Sequence, residues 1–180
     1  MKKILAVTLV AALLLAGCSA AGGAVKLGLG QKTMIDKSAD LAEKDGVKAG
    51  SAQVDTMMCA VVVDASGKVV SIRFDTAQTK VAFDEAGKIT SDKTVEYPTK
   101  RELGDEYGMK KASGIGKEWY EQVDAVEKWM TGKTADQIKG MKTKTTEEGT
   151  ISDETDLTSS ATLKIDEFLE VAAEAIANAK

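Results

Sequence analysis

The sequence predicts an α+β fold: an antiparallel sheet from the N-terminal half packed against helices from the C-terminal half. Three observations carry this. The run QVDTMMCAVVVDASGKVVSIRFD holds two β-rich segments on either side of Asp64-Ala65-Ser66-Gly67-Lys68, which is hairpin chemistry. The run EWYEQVDAVEKWM places Trp119, Val123, Val126 and Met130 on one helical face. From about Thr162, the spacing of Ile165, Phe168, Leu169, Ala172, Ala173 and Ile176 predicts a terminal helix. Strands first and helices later argue against a doubly wound parallel sheet.

The remaining elements follow in order. KLGLGQKTMIDKSADL reads as a first strand, weakened by its glycines. KVAFDEAGKIT repeats the hairpin on a smaller scale around Asp84-Glu85-Ala86-Gly87-Lys88. KRELGDEYGM suggests a short helix, and TADQIKGM adds a turn beyond Gly132. KTKTTEEGTISDETD is polar and reads as an exposed loop. Val61, Val63, Ile72 and Phe74 are expected to face the helices, with Trp119, Val123, Phe168 and Ile176 in the same core.

The N-terminus reads as a targeting segment. Lys2 and Lys3 precede ILAVTLVAALLLA, an apolar run too short for a comfortable membrane span of about 20 residues. Leu15-Ala16-Gly17-Cys18 resembles a bacterial lipobox, in which the Cys thiol receives a diacylglycerol and becomes the first residue after cleavage. The plainer alternative is a signal peptide that happens to contain a cysteine. The lipobox reading divides the chain into residues 1–17 as signal peptide, 18–25 as lipidated Cys18 and flexible tether, and 26–180 as one domain. It expects the protein on the cell membrane, lipid-anchored and facing outside the cytoplasm, since two acyl chains suffice for stable anchoring.

Composition narrows the function classes. Loss of Lys2 and Lys3 moves the formal charge from −4 to −6, so nucleic acid and anionic lipid surfaces are poor partners. Histidine is absent, which removes Ser-His-Asp and Cys-His catalysis, His-ligated zinc and c-type haem attachment. With Cys18 lipidated, Cys59 is the one free thiol, so neither a disulfide nor an iron–sulfur cluster can form, and no metal is expected. Within TMMCAVVV, Cys59 reads as buried and inert rather than nucleophilic. A redox role therefore needs an organic cofactor.

Two segments carry candidate chemistry. Ser113-Gly114-Ile115-Gly116 opens into the Trp119 helix, and its backbone N–H groups could receive an anion or a ring carbonyl; the competing reading is a linker between helices. Ser159-Ser160-Ala161-Thr162 precedes the terminal helix. It reads either as a helix N-cap or as a threonine hydroxyl, among small residues, able to carry a phosphoester. Trp119 belongs on the apolar stripe, whereas Tyr120 and Trp129 fall off it and suit a site or a partner surface. Lys117 and Lys133 read as solvated.

The ordered set Ala112-Ser113-Gly114-Ile115-Gly116, Gly132-Lys133 and Ser159-Ser160-Ala161-Thr162 resembles the FMN-binding domain of the sodium-pumping NADH:quinone reductase and the Rnf complex. YGMKKAS, IGKEWYEQ and TGKT are more closely similar to flavin-binding lipoproteins of extracellular electron transfer in Gram-positive bacteria. The resemblance runs from about Lys26 to the end. It implies that a flavin transferase moves FMN from FAD onto Thr162, with Asp156, six residues earlier, in the recognised pattern. The family's SGAT segment has Gly where this chain has Ser160, and the family's HxET stretch is missing.

The expectation is thus an extracytoplasmic lipoprotein that carries electrons on FMN from a membrane dehydrogenase, without turning over a substrate itself. Cofactor contacts are expected from Thr162, Ser159, Ser160, Ala161, Asp156, Ser113, Gly114, Ile115 and Gly116. Two alternatives are a non-redox surface lipoprotein using the fold as a binding or scaffold module, and a precursor whose VAALLLAG segment is released as a pheromone.

Overall fold

A computed structural model describes residues 23–180. Cys18, the signal segment and most of the tether lie outside the described residues. The chain folds as α+β, with the sheet from the first half and the longer helices from the second.

The sheet is organised by one long strand. β1 is Lys26–Met34, β2 Ala39–Lys44, β3 Val47–Val63 and β4 Val69–Asp84. β3 pairs β4 along one edge, from Val63↔Val69 to Ala49↔Asp84. Its other edge is shared: β1 pairs from Lys26↔Val63 to Met34↔Asp55, and β2 takes the stretch from Val47 to Ser51. All pairings are antiparallel. Two turns follow from aspartate chemistry, that of the β3–β4 hairpin and the one after β4, where the smaller hairpin expected around Asp84 to Lys88 is reduced to an isolated bridge between Phe83 and Ile89. Asp64 Oδ1 accepts the N–H groups of Ser66 and Lys68, and Asp84 Oδ1 those of Ala86 and Lys88.

One sheet face carries the core. Met57, Cys59, Val61 and Val63 on β3, and Ile72 and Phe74 on β4, alternate inward and are buried, as the period of two requires, and a register shift opposite Val62 and Val63 puts buried Val69 on the same face. Against them lie α2 (Trp119–Met130) and α4 (Asp166–Ala177). Between and before these come the short α1 (Lys100–Leu103) and α3 (Ala135–Lys139). Trp119, Val123, Val126 and Met130 are all buried, as are Phe168, Val171, Ala172 and Ala175. Ile176 is partly buried against the same cluster. Phe168 meets Phe74 edge-on, ring centroids 5.1 Å apart, and Trp119 at 6.5 Å.

Gly28 and Gly30 are the reason α4 can lie on β1. A Cβ on Gly28 would stand 1.9 Å from the carbonyl oxygen of Ala175, and one on Gly30 2.4 Å from that of Val171. The glycines that weaken the strand by propensity are what admit the helix.

Three expectations are corrected. The polar stretch after Met141 is not a loop but a hairpin, β5 (Thr143–Thr146) with β6 (Gly149–Ser152). Its threonines are β-branched and suit a strand, and Gly149 at φ 135° closes the turn. The edge strand β2, charged and exposed throughout, was not foreseen as a separate element. The terminal helix begins at Asp166, not near Thr162. The Ile165 N–H bonds to the Thr150 carbonyl at 2.9 Å, and Lys164 bridges Ile151, so this segment is held against β6 rather than coiled. None of the described helices is long and apolar enough to cross a membrane.

Candidate functional site

The site is built around a side chain from the buried stripe of α2. Gln122 lies between Trp119 and Val126 and is fully buried. A buried amide needs partners at both ends, and Gln122 finds them on two distant segments. Its Oε1 accepts the backbone N–H of Thr162 at 2.9 Å and the Thr162 hydroxyl at 3.3 Å. Its Nε2 donates to Ser113 Oγ and to the Lys117 carbonyl, both at 3.2 Å, and to Met109 Sδ at 3.5 Å. One side chain thus ties the loop before α2 to the segment before α4.

Glu118 fixes the rest of that loop. It is buried, and its carboxylate accepts the N–H groups of Met109 and Lys110 at 2.8 and 3.0 Å. Its own N–H donates to the Glu121 carboxylate at 2.8 Å, which starts α2.

Gln122 borders an open cavity of about 950 Å³, and Glu118 stands behind its lining. Its apolar wall includes Met57, Met109, Trp119 and Phe168. Thr162, Ser113 and Gly114 contribute small polar edges. Charge is mixed: Lys37, Lys100 and Lys164 are opposed by Asp36, Glu147, Glu148 and Glu167. The tip of the β5–β6 hairpin closes one side through Thr146, Glu147 and Glu148.

The segments singled out in the sequence divide between cavity and support. Thr162, Ser113 and Gly114 line the cavity together. Ala161 is buried beneath, and the Ala161 and Ser160 N–H groups bond to the Leu157 carbonyl at 2.8 Å each. Asp156 and Ser159 are exposed and, with Ser160, stand outside the lining. Ile115 and Gly116 also stand outside it; Gly116, at φ 63°, turns the chain into α2. Thr162 is not a helix cap, because α4 is entered through Ile165.

The aromatic residues are also sorted by geometry. Trp119 is both core and cavity wall. The Tyr120 hydroxyl donates to Asp105 at 3.0 Å. Trp129 lies under Lys133, whose Nζ is 4.1 Å from the ring centroid and donates to the Trp129 carbonyl. Lys133 is therefore committed away from the cavity.

Sequence reading missed Gln122, Lys100 and the Lys37–Asp55 pair. Gln122 had a readable sign, a polar residue on an otherwise apolar helical stripe. Lys37 binds Asp55 at 2.6 Å. Burial works against the Asp55 carboxylate, yet hydrogen bonds from Lys37, Gln53 and Gln78 hold its pKa below the usual range. Cys59 behaves as foreseen: burial, aided by the charge of Glu127, pushes its thiol up to about 12.

The chain is similar to a chlorophenol reductase of Desulfitobacterium hafniense, 31% identical over 91 residues. The likeness covers 44% of this chain and 28% of that protein, so the chain spans less than a third of that relative's length. No family model matches the chain. No solved structure matches it either.

Proposed function

We propose that the chain is a lipid-anchored extracytoplasmic electron carrier of the FMN-binding type. In this reading Cys18 carries the lipid, residues 18–25 form the tether, and residues 26–180 act as one flavin-holding domain. The observation that carries the reading is the Ser113–Gln122–Thr162 connection at the cavity wall. Two segments of small residues, 49 positions apart between Ser113 and Thr162, are tied there by one buried amide. A helix cap and an interhelical linker would have no reason to meet.

The cavity residues fit a flavin mononucleotide. The volume lies in the range of about 300–1,000 Å³ used by small-molecule sites. Trp119, Phe168 and the two methionines offer an apolar wall to a planar ring, Lys100 a cation, and Thr162 an accessible hydroxyl. When bound, the flavin supplies the electron-accepting and electron-donating chemistry. The chain's own part is to orient the ring and to shield one face of it from water. Gln122 keeps the Thr162 backbone fixed while its hydroxyl stays at the cavity edge. The likeness to a protein named chlorophenol reductase supports redox chemistry without naming a cofactor. A membrane dehydrogenase would be the electron donor, and a flavin transferase would load Thr162.

The test is co-expression with a flavin transferase, followed by intact mass and visible spectrum after denaturation. One added FMN, with yellow colour surviving denaturation and lost in Thr162→Ala, is the expected result. A protein that gains no covalent FMN and binds none when free FMN is offered would instead be the non-redox lipoprotein.

A further inference from the structure

Lys100 opens α1, and its side chain reaches the cavity wall. Its Nζ stands 5.1 Å from the Tyr107 ring centroid and 5.2 Å from that of Trp119. Aromatic faces attract a cation, though only weakly beside a full counter-charge. Two cations beside it are paired, while Lys164, on the same cavity lining, has no ion pair among the described residues but is exposed. Lys37 is paired with Asp55, and Arg101 with Asp124 and Glu127. Among the described residues Lys100 forms no ion pair and donates no side-chain hydrogen bond.

That isolation is costly. Burial, together with the charge of Lys37 and against support from Asp55, Glu167 and Asp75, lowers the Lys100 pKa to about 8. A desolvated ammonium without a counter-ion is unfavourable unless something negative arrives. The surroundings leave room for it: one wall is aromatic and the cavity is open, and Lys37, though paired with Asp55, acts on Lys100 more strongly than any one of the nearby carboxylates.

We propose that Lys100 is the anion-receiving residue of the cavity and binds a phosphate group of the ligand held there. The proposal rests on the flavin reading for its probe, and its chemistry would serve a mononucleotide phosphate or inorganic phosphate alike. Trp119 and Tyr107 position the ammonium; they leave its N–H groups free for phosphate oxygens. A hydrogen bond to a charged group typically changes affinity by about tenfold to a hundredfold.

The test uses the full chain purified in detergent from a host without flavin transferase. It is titrated with FMN and with riboflavin, which lacks the phosphate, following flavin fluorescence. Wild type is expected to prefer FMN by at least about tenfold. Lys100→Met should erase that preference and leave riboflavin affinity unchanged, while Lys100→Arg keeps it. Lys100→Met retains an apolar stem over the two rings, and thermal unfolding checks that it folds. Equal wild-type affinity for the two flavins, or an undiminished preference in Lys100→Met, overturns the proposal. If wild type binds neither flavin, the flavin reading fails, and amine acetylation at pH 8 decides the fate of Lys100. Slower acetylation of Lys100 in inorganic phosphate than in chloride of equal ionic strength, read by peptide mass, supports the anion site. Equal rates overturn it.

Discussion

Gln122 and Thr162 are joined twice, the amide oxygen accepting both the backbone N–H at 2.9 Å and the hydroxyl at 3.3 Å across 40 positions of sequence. Replacing Gln122 by Leu keeps the volume and removes both ends of the link. The part-buried Thr162 N–H loses its acceptor, a typical hydrogen-bond loss of about 0.5–1.5 kcal/mol. Urea unfolding should show that loss. Flavin loading at Thr162 should fall with it, and fall less in Gln122→Glu, which can still accept from Thr162.

Trp119→Ala removes a side chain that is 2% exposed and packs on Phe168. Truncation of a buried aromatic of this size costs about 3–5 kcal/mol. A melting temperature unchanged from wild type would show that α2 does not anchor the core.

Thr162→Ala should be nearly silent for folding. Thr162 is exposed, its backbone bond to Gln122 survives the change, and only the longer hydroxyl contact is lost. Exposed substitutions of this kind stay within about 0.5 kcal/mol. Loss of covalent flavin together with loss of fold would argue that the hydroxyl is structural.

Lys100 gives stability a pH dependence. Its folded pKa is about 8, against 10.5 for the free side chain. Between those values the unfolded chain binds the proton that the folded chain has released, so stability rises with pH across the window. Below about 8 the folded state carries the cost of the partly desolvated charge. Lys100→Met should therefore be more stable than wild type near neutrality and should flatten the rise between pH 8 and 10, measured by urea unfolding.

Cys18→Ala tests the anchor. Without a lipid, the protein should leave the membrane fraction, because the apolar segment before Cys18 is too short to hold it there. A processed Cys18→Ala protein that still needs detergent would count against lipidation.

Legibility followed the range of the interactions. The Asp64 and Asp84 turns and the α2 stripe are local, and each could be read from a few neighbouring residues. The β5–β6 hairpin was hidden because its threonines are polar by composition and β-branched by shape. Thr162 looked like a helix start because nothing nearby reveals the bond from Ile165 to Thr150, which delays the helix. The meeting of Ser113 with Thr162 was suggested only by resemblance, and the residue that joins them was passed over as part of a helix. Lys100 left no trace, since only Tyr107 is near it in sequence, and Lys37 and Trp119 come to it from separate stretches.

The first strand and the last residue are fastened to each other: Leu27 and Lys180 exchange backbone hydrogen bonds at 3.2 and 3.0 Å. This gives the domain a mechanical weak direction. A force drawing residues 26 and 180 apart would meet those two bonds in sequence, as a zip, rather than sharing the load across the β1–β3 ladder. In a single-molecule pulling experiment with handles on both ends, β1 and α4 should peel away at low force before the β3–β4 hairpin yields.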